Sequence, residues 1–219
     1  MTICSRMLAC TPQQRDAVPR PLGHTARIGA ALVAMAVAGV SGGASAQDDV
    51  SAPESAPAKS RREYAVPSVK LVRDDGKVVS LPDEMNDGRP VVLNFIFTTC
   101  TDICPLMTSV LAQFERRLGT DAEKVHLMSI SIDPEQDTPA RLVEYARKFH
   151  AGPEWQHYTG TREASIAAQQ AFGVYRGDKM SHAPVTLIRA APGKPWLRID
   201  GFITPDDLVR DYRDLLSQS

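Results

Sequence analysis

The chain lacks an excess of either charge. Lys and Arg number 25 against 26 Asp and Glu, a net charge of −1. Without a basic surplus there is no electrostatic footprint for nucleic acid, and no run of like charge is long enough to form a tail. Long apolar stretches are also missing, with one exception near the N-terminus, which excludes a membrane protein of several spans. Aromatics are sparse at 6%, cysteines number four, and no internal repeat is present. What is there is ordinary for a globular protein: 43% hydrophobic and 23% charged residues. That apolar content excludes disorder of the whole chain.

The first 46 residues read as an address. Arg6, Arg15, Arg20 and Arg27 stand against one acid, Asp16. The uncharged run Ile28–Val40 follows, then a small-residue tail ending Ala44-Ser45-Ala46. A positive segment, a short apolar segment and an Ala-x-Ala site make a secretory signal peptide over 1–46. The rival is an uncleaved anchor in the inner membrane, with the rest of the chain facing the periplasm. The 19 residues from Ile28 to Ala46 sit at the lower edge of a span. Their many Ala, Gly and Ser favour insertion weakly. Met7 is an alternative start. No cysteine follows the run, which argues against lipidation there. Cleavage leaves a mildly acidic remainder with two cysteines, Cys100 and Cys104, enough for one disulfide or one metal ion.

Residues 47–62 are rich in Pro, Ser and Ala, show no apolar periodicity, and read as a flexible linker. The folded unit is then 63–219, a normal size for one domain. Within it, Val69–Val72 and Lys77–Leu81 flank Asp74-Asp75-Gly76 and predict a hairpin. Pro90–Phe97 and Val125–Ile132 are nearly all apolar, as strands buried on both faces are. Helical spacing puts Leu106, Val110, Leu111, Phe114 and Leu118 on one face. Asp137-Thr138-Pro139 opens a second helix, with Leu142, Tyr145, Ala146 and Phe149 inward and His150 at its end. A short strand over 155–159 and a helix over 161–173 come next. Val185–Ile188 and Trp196–Ile199 pair across an Ala-Pro-Gly-Lys-Pro turn, and Thr204-Pro205 opens a last helix. The order predicts an α/β fold: a thioredoxin-like sandwich, with a central mixed sheet, helices on both faces and an added N-terminal β-hairpin.

The sequence Cys100-Thr-Asp-Ile-Cys104-Pro105 follows the first buried strand directly. Pro105 belongs in the first turn of a helix, so both sulfurs lie near a helix N-terminus, where partial positive charge favours thiolate. If the loop is helical, residues four apart stack on one face with Cα atoms about 6 Å apart. That separation suits a disulfide or a shared metal ion. A purely structural bridge closes too small a loop to stabilise much. Among the histidines, His126, His150 and His157 read as packed or helix-end residues. His182, in Lys179-Met180-Ser181-His182-Ala183-Pro184, stands in the loop before a strand that lies beside the redox loop in a thioredoxin-like fold. Two thiolates and one imidazole without a fourth ligand suit copper, and soft sulfur favours Cu(I). A structural zinc site asks for four protein ligands. Met107 reads as core, Met180 as at most a transient copper contact, and Trp155 and Trp196 as packing.

Phe95-Ile-Phe-Thr-Thr-Cys100-Thr-Asp-Ile-Cys104-Pro-Leu-Met resembles the Cys-x3-Cys-Pro signature of the Sco/SenC family. Ser131-Ile-Asp133-Pro-Glu-Gln-Asp137-Thr-Pro139, Phe172-Gly-Val-Tyr175 and the loop of His182 are similar to its later blocks. The likeness spans roughly residues 64–216. It implies a thioredoxin-like, copper-binding protein outside the cytoplasm, with Cys100, Cys104 and His182 as the copper ligands. By the same resemblance it delivers copper to the copper centre of cytochrome c oxidase or reduces the cysteines of that centre. Its implied partner is a copper-receiving oxidase subunit or another periplasmic copper carrier, and a carrier fits better than an enzyme. Asp102 between the cysteines follows the family pattern. Ser181 departs from it, since Asp often precedes the histidine there and would orient the imidazole. Asp133 reads mainly as a turn cap. Pro184 after the histidine is similar to the thioredoxin cis-proline loop.

The competing reading is a general periplasmic thiol-disulfide oxidoreductase that uses Cys100 and Cys104 without metal. Three residues between the cysteines, where two are usual, argue against it. A peroxidase of the peroxiredoxin type needs Thr three residues before its cysteine, and Phe97 stands there.

Overall fold

The computed structural model describes residues 56–218. The expected signal peptide 1–46, and linker residues 47–55, lie outside that range. Among the described residues eight strands form one mixed sheet in the order β1-β8-β7-β4-β5-β6-β2-β3. The strands are β1 (Ala58–Arg62), β2 (Lys70–Arg73), β3 (Val78–Ser80), β4 (Val91–Ile96), β5 (His126–Ser131), β6 (Trp155–Gly160), β7 (Val185–Arg189) and β8 (Trp196–Asp200). The helices are α1 (Leu81–Met85), α2 (Ile103–Leu118), α3 (Pro139–Lys148), α4 (Arg162–Ala171) and α5 (Pro205–Ser217).

β4 and β5 are buried at every position, as apolar runs flanked on both faces should be. They pair in parallel, Val91 with His126 through Ile96 with Ser131, and β5 pairs in parallel with β6. β7 runs antiparallel to β4, and their pairing ends at Asn94 with Thr186. The expected hairpin is β2–β3, added at the β6 edge. Period-two alternation then sorts the core. Leu93, Phe95, Met128, Ile130 and Leu187 pack on one face under α1 and α4. Val92, Leu127, Ile188 and Ile199 pack on the other under α2 and α5. A smaller cluster of Ile96, Phe97, Cys104, Leu142 and Tyr145 joins α2 to α3.

Two elements were not expected. The linker assigned to 47–62 ends early, because Ala58–Arg62 is a strand antiparallel to β8, Ala58 opposite Asp200 and Arg62 opposite Trp196. Its sequence, Ala-Lys-Ser-Arg-Arg, carries no apolar signal. An edge strand with mostly exposed side chains needs none, because backbone pairing and polar contacts hold it. Lys59 Nζ lies 2.7 Å from Asp211 on α5, and Arg61 donates to Gln218 at 2.7 Å. The folded unit therefore begins before residue 63. The short α1, with Leu81 and Met85 buried, begins at the residue that the sequence reading takes as the end of a strand. One finer expectation also changes. Leu106 is 54% exposed, because α2 buries Cys104, Met107, Thr108, Leu111, Glu115 and Leu118, a stripe turned by one residue from the predicted one. The Ala183–Pro184 peptide, whose isomer the sequence leaves open, is trans.

Candidate thiol and metal site

β4 ends at Ile96 in the core, and the chain turns at once: the Cys100 amide donates to the Phe97 carbonyl at 3.1 Å. α2 starts at Ile103, which places Cys104 and Pro105 in its first turn, where Pro lacks only an N–H that no helical carbonyl would accept. The Cys104 amide, one of the free donors at that helix start, points at the Cys100 sulfur, 3.4 Å away. The two cysteines are thus together, although Cys100 reaches Cys104 from a turn before the helix, not from the helical stacking that the spacing supposes. Both are free thiols, Cys100 partly exposed and Cys104 buried.

The two sulfurs are unequal. The helix start was expected to lower thiol pKa at both. At Cys104 the opposite holds, because burial pushes its thiol well above the ordinary value. Cys100 and Asp137 add to that rise, and the Phe97 backbone amide opposes it. Desolvation outweighs the helix dipole because Cys104 sits among Phe97, Leu142 and Tyr145.

The loop carrying Cys100 is held from beneath by Asp137, a fully buried carboxylate. Asp137 accepts from the Thr98 amide at 3.2 Å, from the Thr98 hydroxyl at 2.5 Å and from the Ser131 hydroxyl at 2.6 Å. Sequence reasoning missed this role and read Asp137 only as part of a helix start. The cap is Thr138, whose side chain accepts from the Arg141 amide. Only one residue can be the N-cap, so an acid left over beside it was the available signal.

His182 follows a 3-10 turn over Lys179–Ser181. That turn is fastened to the end of β5 by Lys179 Nζ on Asp133 Oδ2, at 2.5 Å. Asp133 is therefore both a turn residue, its carbonyl accepting from Gln136 and Asp137, and the anchor of the histidine loop. The His182 ring meets the Phe95 carbonyl through Nε2 at 3.0 Å. A carbonyl only accepts, so the proton is assigned to Nε2 and Nδ1 keeps its lone pair. The contact continues the β4 ladder where β7 pairing stops. Burial lowers the His182 pKa, and the Arg176 charge lowers it further, against the Phe95 hydrogen bond. The ring is held neutral, the form that ligates metal.

The structure does not complete the expected ligand set. Among the described residues no three His, Cys, Asp or Glu side chains stand together as a metal site. Cys100 and Cys104 meet, and His182 points its Nε2 at Phe95. The remaining candidates fall as read: His126 is buried and bonded to the Glu84 carbonyl and the Tyr158 hydroxyl, and His157 is buried beside Asp74. Met107 is core at 4% exposure, and Met180 is 74% exposed on the turn before His182. Among the described residues no helix is long and apolar enough to cross a membrane.

Comparison with known proteins gives a consistent picture. A family model described as SCO1/SenC matches residues 57–216. The SCO1 protein homolog of Bacillus subtilis (strain 168) is 34% identical over 104 residues, which cover 47% of this chain and 53% of that protein. The chain thus spans about half the length of that relative. Bradyrhizobium japonicum ScoI, solved with copper bound, superposes with a TM-score of 0.59 at 25% identity, covering 69% of this chain and 100% of the other. BsSco, described as a member of the Sco family of cytochrome c oxidase assembly proteins and solved for a disulfide switch, gives 0.61 at 26% identity, covering 74% and 99%.

Proposed function

The chain belongs to the SCO1/SenC family, and from that premise we propose that it is an exported copper-binding protein. It takes up copper as cargo on Cys100, Cys104 and His182. It then delivers that copper to the copper centre of cytochrome c oxidase or reduces the cysteines of that centre. The solved neighbours supply the copper and the oxidase. The observation that carries the reading to this chain is the donor chemistry at one end of the sheet. Two adjacent sulfurs and a neutral imidazole with a free Nδ1 are a soft donor set that suits Cu(I), and the nitrogen extends it to Cu(II). Binding must displace the proton that burial favours on Cys104, so loading releases acid.

Replacing His182 tests the assignment. In His182→Ala, Cu(II) binding followed by absorbance and EPR should fall at least tenfold. Cu(I) binding should weaken less, because two thiolates suffice for that ion. Exchange with a small disulfide should survive. Unchanged Cu(II) binding removes His182 from the site, and a wild type that binds no copper overturns the reading.

The unequal sulfurs support a second reading, a thiol-disulfide oxidoreductase working without metal. The accessible Cys100 sulfur attacks a partner disulfide and releases one partner thiol. Cys104 then displaces the second, leaving the partner with two thiols and this chain with a Cys100–Cys104 disulfide. The step needs no other oxidant. Either way the metal-free pair should oxidise reversibly, and thiol titration should change by two per chain on mild reduction.

A further inference from the structure

Beside His182 the surface opens into a cleft of about 260 Å³. Its walls are the loop after β5, the Ser165–Gln169 side of α4 and the segment Val174–Lys179. Most of its charges are engaged. Lys179 closes on Asp133 and Arg162 lies 3.9 Å from Glu135, while Asp178 accepts the Met180 amide at 2.9 Å and has no cation partner among the described residues. Arg176 has no carboxylate partner among the described residues, and its Nη1 donates to the carbonyls of Gly173 and Tyr175 at 3.4 and 3.1 Å. It is near enough for its charge to disfavour protonation of His182.

Gln169 is 94% buried, being 6% exposed. The Ser165 hydroxyl donates its proton to the Ser131 carbonyl at 2.8 Å, so its oxygen can only accept from Gln169, at 3.1 Å. Gln169 therefore turns its amide nitrogen to Ser165. Its Oε1 lines the cleft with no hydrogen-bond partner among the described residues. The side chain is mostly buried, but Oε1 itself is not enclosed: it opens to the cleft, where a donor from a ligand or water can reach it.

We propose that this cleft docks an acidic peptide segment of the protein that receives the copper, with a backbone N–H of the segment donating to Gln169 Oε1 and a side-chain carboxylate pairing with Arg176. The pairing of an acceptor that opens on the cleft with an unmatched guanidinium suits a chain segment, which carries an N–H beside a carboxylate, better than a simple carboxylate ion. Tyr175, 38% exposed at the rim, gives the segment a ring to lie against. The docked segment ends up next to His182. That the partner receives copper rests on the function proposed above, whereas the docking chemistry does not.

The test uses metal-free full-length protein and two blocked peptides, acetyl-Gly-Asp-Gly-Asp-Gly-amide and its Asn counterpart, titrated at low salt and followed by ¹⁵N–¹H spectra. The Asp peptide should bind at least tenfold more tightly than the Asn peptide and shift the Gln169 and Arg176 side-chain resonances. Arg176→Gln should abolish the preference, and Gln169→Leu should weaken both peptides. Equal binding of the two peptides, or an undiminished preference in Arg176→Gln, overturns the proposal. Acetate binding as tightly as the peptide also overturns it, in favour of a small carboxylate. Arg176 is exposed, so its variant keeps the fold. Copper titration of the same samples keeps the two readings apart, because a wild type that takes no copper defeats the function and leaves the docking result standing.

Discussion

Cys104 and His182 face the same end of the sheet with opposite debts to water. Burial holds Cys104 protonated and holds His182 neutral. For Cys104 this has a consequence for stability. The folded state keeps its thiol proton beyond the pH at which the unfolded chain, with an ordinary value of 9.0, gives it up. The contribution is therefore complete below that value and is lost as pH rises past it. Reduced, metal-free protein should lose stability between about pH 8 and pH 10, by at most about 1.4 kcal/mol per pH unit. Cys104→Ser should flatten that slope in thermal melts. A wild-type slope no steeper than the variant's would count against the burial account. At this scale the two cysteines and His182 were legible, because their residue types and spacing carry the chemistry. Asp137 and Lys179 were not. An aspartate that supports a loop and a lysine that fastens a turn look, in a sequence, like any other cap or surface charge.

Helix ends show what periodicity can and cannot deliver. Thr138, Thr161 and Thr204 each cap a helix with a side-chain oxygen, and two of them precede proline, so these starts were readable. C-termini are less obvious. α4 ends with Gly173 at φ +65, its amide bonded to Gln170 O and the Val174 amide to Gln169 O. α3 ends in the same pattern, with His150 donating to Arg147 O and Ala151 to Ala146 O, but the left-handed position at φ +58 holds a histidine. A side chain there is strained, and glycine is not. His150 is exposed, and among the described residues no hydrogen bond engages its ring. His150→Gly should stabilise the protein by about 0.5–1 kcal/mol, read as a higher urea midpoint at unchanged slope. A loss of stability would mean the imidazole contributes more than the strain costs. β1 and α1 escaped the sequence because one is polar and edge-paired and the other is five residues long. Neither has a hydrophobic period to detect.

For the whole molecule, the layered α/β sandwich followed from two fully apolar runs and the helices between them, which leave few topologies open. Export is the remaining whole-chain proposal. Protein recovered from the periplasm should begin at Gln47, by intact mass or N-terminal sequencing, and a full-length product that stays with membranes would favour the anchor. The strand that enters the domain adds something to either outcome. Ala58 pairs with Asp200, Asp200 with Val185, and the neighbouring Thr186 with Asn94, two residues before β4 ends and the cysteine loop begins. The chain therefore enters at the cysteine end of the sheet. Gln218 lies against Arg61, toward the opposite end of the same strand. Whatever is joined before residue 56 therefore meets the domain on the side of its sulfurs, and whatever is joined after residue 218 meets it toward the other side.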